Sequence, residues 1–287
     1  MQSSNKIVVL SLPRCGSSLL TSLIESANYK VYTSKDSQLL GSSGFNKNGY
    51  FEDRVLTLLN DQIIRGVFGN EYNFLYMPDT KTIQTKFKTK EINSDYFYDL
   101  DDLFIPNNYL EHVKEYTGAE HDIWAITRML DGGKWNKCYS KNNVASYNDI
   151  VAKIKEVSED INSSTSNLVL KDPRFNLTLP FFNFSDDVKY IFLTRKKSKC
   201  IDSMRRHYGK WLFTETYLPD TNICSNYFNF KIKYQDFDSY YQIYNDAISY
   251  ALVDKSYIKI TYEDILNKNL NALENFIGHK VNRDLIQ

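Results

Sequence analysis

Short apolar runs of strand length alternate along this chain with segments of helical period, and that alternation leaves few folds open. Runs at Ile7–Leu12, Lys30–Thr33, Leu168–Leu170, Lys189–Thr194 and Tyr257–Thr261 read as strands. Between them, Asp53–Phe68 places Leu56, Leu59, Ile63 and Val67 on one helical stripe. Tyr147–Ile161 does the same with Ile150, Val151, Ile154, Val157 and Ile161, and Asp236–Asp254 is a third helix. This is the pattern of an α/β domain built on a parallel sheet flanked by helices. Residues 70 to about 145 are rich in Tyr, Asp, Lys and Asn and lack a clear period. They are expected to form an insertion covering one end of the sheet, within a single domain spanning residues 1–287.

A chain of 287 residues that is 42% hydrophobic and 15% aromatic can bury one large core without disulfides or metals. Lys+Arg and Asp+Glu both total 35, so no global charge points to nucleic acid or a membrane surface. Any anion site must be local. Cys15, Cys138, Cys200 and Cys224 are widely spaced, with no C-x-x-C pair, which reads as free thiols in a reducing compartment and no metal site. The apolar run Ile7–Leu12 is too short to span a bilayer and does not make a signal peptide, so a cytoplasmic protein is expected. The sequons at Asn162, Asn176 and Asn183 are then chance matches.

The strand Ile7–Leu12 runs into Pro13-Arg14-Cys15-Gly16-Ser17-Ser18 and on into a segment of helical character. A strand, a glycine turn and a helix N-terminus aim backbone N–H groups and the positive end of a helix dipole at one point, which suits a phosphate. Gly16 permits close backbone approach, Ser17 and Ser18 add hydroxyl donors, and Arg14 adds a fixed positive charge. The first glycine and the lysine of the G-x-x-x-x-G-K-[ST] loop are both missing. An ordinary serine-capped turn would read much the same.

Arg195 ends the strand Lys189–Thr194, and Ser203 follows eight residues later on a helical segment, so the two can converge on a single phosphate. Arg195, Lys196, Lys197, Lys199, Arg205 and Arg206 form the densest basic cluster, which elsewhere would be a solvated helix face.

On these residues the chain resembles the sulfotransferase family. Pro13–Ser18 is similar to its Pro-[Lys/Arg]-Ser-Gly-[Thr/Ser]-[Thr/Ser] loop for the 5′-phosphate of the sulfuryl donor PAPS, with Cys15 in place of serine. Arg195 and Ser203 match the arginine and serine that hold its 3′-phosphate. Leu168–Arg174, Gly49–Asp53 and Ile260–Leu266 resemble further segments of that family. The resemblance implies a P-loop-type, three-layer sulfotransferase sandwich and metal-independent transfer of a sulfuryl group from PAPS, leaving PAP. The acceptor would be a hydroxyl or amine of a small molecule, carbohydrate or peptide.

The resemblance also implies roles. Arg14 and Lys171 would stabilise charge at the leaving phosphate and the sulfuryl group, and Glu52 would be the general base, with Asp172 and Asp53 as rivals. Arg174 would bind the acceptor or brace its loop. Pro13, Arg14, Cys15, Gly16, Ser17, Ser18, Arg195 and Ser203 would hold the nucleotide, and Arg206 or His207 would add to the 3′-phosphate site. Lys171-Asp172-Pro173 stands where cytosolic small-molecule sulfotransferases have Lys-Thr-His, and their C-terminal Arg-Lys-Gly is not recognisable. The pattern is closer to tyrosylprotein sulfotransferases. Asp53 also suits the N-cap of the helix it precedes. A small-molecule kinase and a catalytically silent PAP-binding module remain the competing readings.

Overall fold

A computed structural model describes residues 5–35, 37, 39, 50–69, 77–93, 147–212 and 237–286, without the side chains of 54, 58, 147, 149, 205–212 and 237. Among the described residues, five parallel strands form the sheet: β1 (Lys6–Ser11), β2 (Lys30–Val31), β3 (Leu168–Lys171), β4 (Val188–Thr194) and β5 (Tyr257–Thr261). Their order is β2-β3-β1-β4-β5, so β1 lies at the centre and all six of its residues are buried. Burial on both faces explains why Lys6–Ser11 is nearly continuous in apolar residues rather than alternating.

The pleat sends successive side chains of the strands into two different cores. Val8, Leu10, Leu170, Tyr190 and Phe192 join the first with α2 (Arg54–Phe68), α4 (Tyr147–Ser163), the short α5 (Phe175–Thr178), α6 (Lys197–Leu212) and α7 (Phe237–Ala251). Ile7, Val9, Val169, Ile191 and Leu193 join the second with α1 (Ser17–Glu25), α8 (Tyr262–Leu266) and α9 (Asn271–Ile277). The protein is therefore an α/β fold with helices on both faces of an all-parallel sheet.

The expected strands and helices all form, with small shifts at their ends. β2 is shorter than expected, stopping at Val31 on the edge of the sheet, although the Tyr32 N–H still donates to the Val169 carbonyl at 2.9 Å. α2 starts one residue after Asp53, whose Oδ1 accepts from the Leu56 N–H at 2.8 Å as an N-cap. Inside the stretch expected to lack a period, α3 (Thr80–Thr89) is capped by Asp79, places Ile83 in the first core and packs against α7. One buried residue per ten carries no detectable hydrophobic period, which is why the sequence concealed it. Residues 94–146 lie outside the described set. Among the described residues no helix is long and apolar enough to cross a membrane.

Parallel strands bring all their C-terminal ends to one edge. Chain order reverses at the centre: β1 leads towards the β2 edge and β4 towards β5 on the other side. The crevice outside the ends of β1 and β4 is where open α/β sheets place ligands.

Candidate functional site

The loop leaving β1 turns through two left-handed residues, Arg14 at φ 66° and Gly16 at φ 91°. Glycine tolerates that conformation freely, whereas an arginine there carries a cost of roughly 1–2 kcal/mol. Gly16 is the N-cap of α1 and offers no side-chain cap, so an outside anion can take that role. A methyl group added at Gly16 would overlap the ring of Tyr262, the first residue of α8 after β5.

Arg195, at the end of β4, is held from several sides. Its Nη1 donates to the Arg14 carbonyl at 2.9 Å, its guanidinium lies 4.5 Å from the centre of the Tyr262 ring, and its own carbonyl accepts from the Tyr241 hydroxyl at 3.0 Å. Next to it, the Lys196 N–H donates to Glu263 at 3.2 Å. The Nε atoms of Arg14 and Arg195 are both buried, and neither has a hydrogen-bond partner among the described residues. Two buried cationic donors of this kind, one of them in the turn at the N-terminus of α1, suit an anion.

Ser17 and Ser203 are buried, the first opening α1 and the second lying on α6. Pro13 and Cys15 both face α6: Cys200 Sγ lies 3.7 Å from the Pro13 carbonyl and 3.4 Å from Cys15 Sγ. Arg206 and His207 belong to α6, with side chains outside the described set. Lys196, Lys197 and Lys199 are exposed, as a solvated helix face would be.

A second cluster gathers after β3. Lys171 Nζ forms a short ion pair with Glu52 and donates to the Tyr50 carbonyl at 2.9 Å. Arg174 donates through Nε to Asp61 at 2.6 Å and through Nη1 to Asp172 at 3.1 Å, while Glu52 Oε2 lies 3.8 Å from Nη1. Asp172 Oδ1 also accepts from the Arg174 N–H at 2.8 Å, and Oδ2 accepts from Asn60 at 3.1 Å. Burial pushes the Glu52 carboxyl above its ordinary pKa, with Lys171 opposing and Asp172 reinforcing the shift. Phe51, immediately before Glu52, has φ 56°, a strained value for a bulky residue.

The rival carboxylates are occupied. Asp53 accepts from Leu56 N–H, Ser34 Oγ and Ser34 N–H at 2.8–3.1 Å, and Asp172 has three donors. Arg174 is tied to Asp172 of its own loop and to Asp61 of α2. Sequence reasoning missed Asn60, Asp61 and Cys200 as neighbours of these groups, and the contact of Tyr262 with Gly16. Tyr262 had a usable signal, since it follows the C-terminal end of a strand. Asn60 and Asp61 had none, because they look like any polar positions on α2. The sequon at Asn176 is fully buried, and its Nδ2 donates to the Ser11 carbonyl at 2.9 Å. No protein-family model, curated protein or solved structure matches the chain.

Proposed function

We propose that this protein is a sulfotransferase that moves a sulfuryl group from PAPS to an acceptor hydroxyl or amine. The single observation that carries the proposal is the pair of buried guanidinium Nε atoms of Arg14 and Arg195, unpartnered among the described residues, at adjacent strand ends beside the Gly16 turn. Groups of that kind are costly to bury unless an anion completes them. A nucleotide with phosphates at both the 5′ and 3′ positions answers to the two elements, one at the β1–α1 loop and one at the end of β4. The sequence resemblance supplies the order of those two elements and the identity of the donor.

In this reading little covalent chemistry falls to the protein, and catalysis is positioning with charge stabilisation along an in-line path. The acceptor oxygen or nitrogen forms the new bond to sulfur as the bond from sulfur to the phosphate oxygen breaks, and PAP leaves. Arg14 and Lys171 stabilise charge on the leaving oxygen and the sulfuryl group. Glu52 takes the acceptor proton, its burial and raised pKa suiting a base better than the fully engaged Asp172. The test is transfer of labelled sulfuryl from PAPS to a panel of phenols, alcohols, sugars and amines in the presence of EDTA. Label in an acceptor supports the reading. Transfer that requires ATP and Mg²⁺ instead would establish a kinase.

A further inference from the structure

Cys15 and Cys200 are free, fully buried and separated by 185 residues in sequence, yet their sulfurs lie 3.4 Å apart. One belongs to the glycine turn after β1 and the other to the first turn of α6 after β4, so they bridge the two elements that carry Arg14 and Arg195. The proposed transfer gives neither thiol a chemical step. Among the described residues no group of three or more His, Cys, Asp or Glu side chains is arranged for a metal, so the pair is not explained as half of such a site.

We propose that Cys15 and Cys200 are a redox modification site, at which a hydroperoxide produces a disulfide that draws the anion loop onto α6 and switches off nucleotide binding. The switching part rests on that loop being the donor's phosphate site. The chemistry is balanced by the peroxide. The Cys200 thiolate attacks the peroxide oxygen, the O–O bond breaks, and a sulfenic acid forms as the departing oxygen takes the proton that the Cys200 thiol gave up and leaves as water or an alcohol. The Cys15 sulfur then displaces that hydroxyl, which leaves as water with the Cys15 proton, and the S–S bond forms. Two thiols are oxidised and one peroxide is reduced.

Either sulfur can donate to the other, and the arrangement with Cys15 as donor makes Cys200 the attacking sulfur. With Cys15 as the hydrogen-bond donor, Cys200 is held below the ordinary thiol pKa against the opposing effect of its burial, and Arg195 and Arg14 act in the same direction as that bond. Cys15 is pushed up by the same hydrogen bond and by burial. Bond formation requires the sulfurs to close to about 2.05 Å, a movement of roughly 1.4 Å. That movement falls on a turn already bent through positive φ at Arg14 and Gly16, and on the Arg14 carbonyl that anchors Arg195. A shift of that size is enough to misplace N–H groups aimed at a phosphate.

The test uses the full chain carrying Cys138→Ser and Cys224→Ser, so that only the two cysteines in question remain. Hydrogen peroxide should remove the mass of two hydrogens, and a non-reducing digest should yield the Cys15 peptide linked to the Cys200 peptide. PAP affinity measured by calorimetry should fall at least about tenfold and return with dithiothreitol. Adding Cys200→Ser should leave PAP binding indifferent to peroxide. Thiols that stay free, oxidation to sulfinic acid without linked peptides, or a linked protein that binds PAP as the reduced one does would each overturn the proposal. If the reduced protein fails to bind PAP, the donor reading falls, and the linked peptides alone decide whether this is a modification site.

Discussion

Lys171 and Glu52 form a buried ion pair that ties the end of β3 to the residue before the N-cap of α2, with side-chain exposures of only 5% and 7%. In the proposed mechanism one partner stabilises transferred charge and the other receives a proton, so the pair holds both groups ready before substrate arrives.

Replacing Glu52 with Gln keeps an oxygen for Lys171 and removes basicity. Turnover should fall by about a hundredfold or more with PAP affinity intact. In the unmutated protein the acid limb of the turnover profile should lie above the ordinary carboxylate value of 4.5, because burial raises the Glu52 pKa. Activity should therefore rise with pH through that raised value. The linked stability has the opposite sign: the contribution of Glu52 is fully present below its unfolded pKa and is lost as pH rises through the folded one. A pH–rate profile unchanged in the Gln variant would remove Glu52 as the base.

Arg195 should not be replaceable by Lys. Arg195→Ala is expected to weaken PAP by about tenfold to a hundredfold, as loss of a charge-assisted contact worth roughly 1.5–3 kcal/mol predicts. Lys keeps the charge but loses the fork that reaches the Arg14 carbonyl and the guanidinium that lies over the Tyr262 ring, so it should recover little. Calorimetry on the two variants checks this, and full affinity in Arg195→Lys would show that charge alone suffices.

Gly16→Ala meets two penalties, a left-handed backbone and the ring of Tyr262. The backbone alone should cost roughly 1–2 kcal/mol, measured from the urea midpoint. Combining it with Tyr262→Ala should recover the part due to the ring, leaving a double variant more stable than the sum of the single losses predicts. Strict additivity would contradict the contact.

Arg174 and Asp172 should prove structural. Their side chains are 3% and 1% exposed, and Arg174→Met leaves Asp172 buried without its cation, a change expected to cost about 3–5 kcal/mol. If Arg174 instead binds the acceptor, the variant would keep its urea midpoint and raise the acceptor KM.

The sheet was legible because buried parallel strands such as Ile7–Leu12 are apolar almost without interruption, and α2, α4 and α7 carry clear stripes. α3 was hidden by having one buried position, Ile83. Of the candidate site, the placement of Arg14, Lys171 and Arg195 at or just past strand ends was legible. The pairing of Cys15 with Cys200, and of Arg174 with Asp61, depends on which helix packs over which loop, and residue type at either position does not encode that. Asp53 could be either a base or a cap from sequence, and only its three hydrogen bonds separate the two.

The central claim is a site for a nucleotide phosphorylated at both 5′ and 3′ positions, and titration of the unmutated, reduced protein with PAP and with AMP tests it most directly. The account predicts that PAP binds at least about tenfold more tightly, because Arg195 meets a 3′-phosphate that AMP lacks. Equal affinities, or no binding of PAP at all, would contradict it.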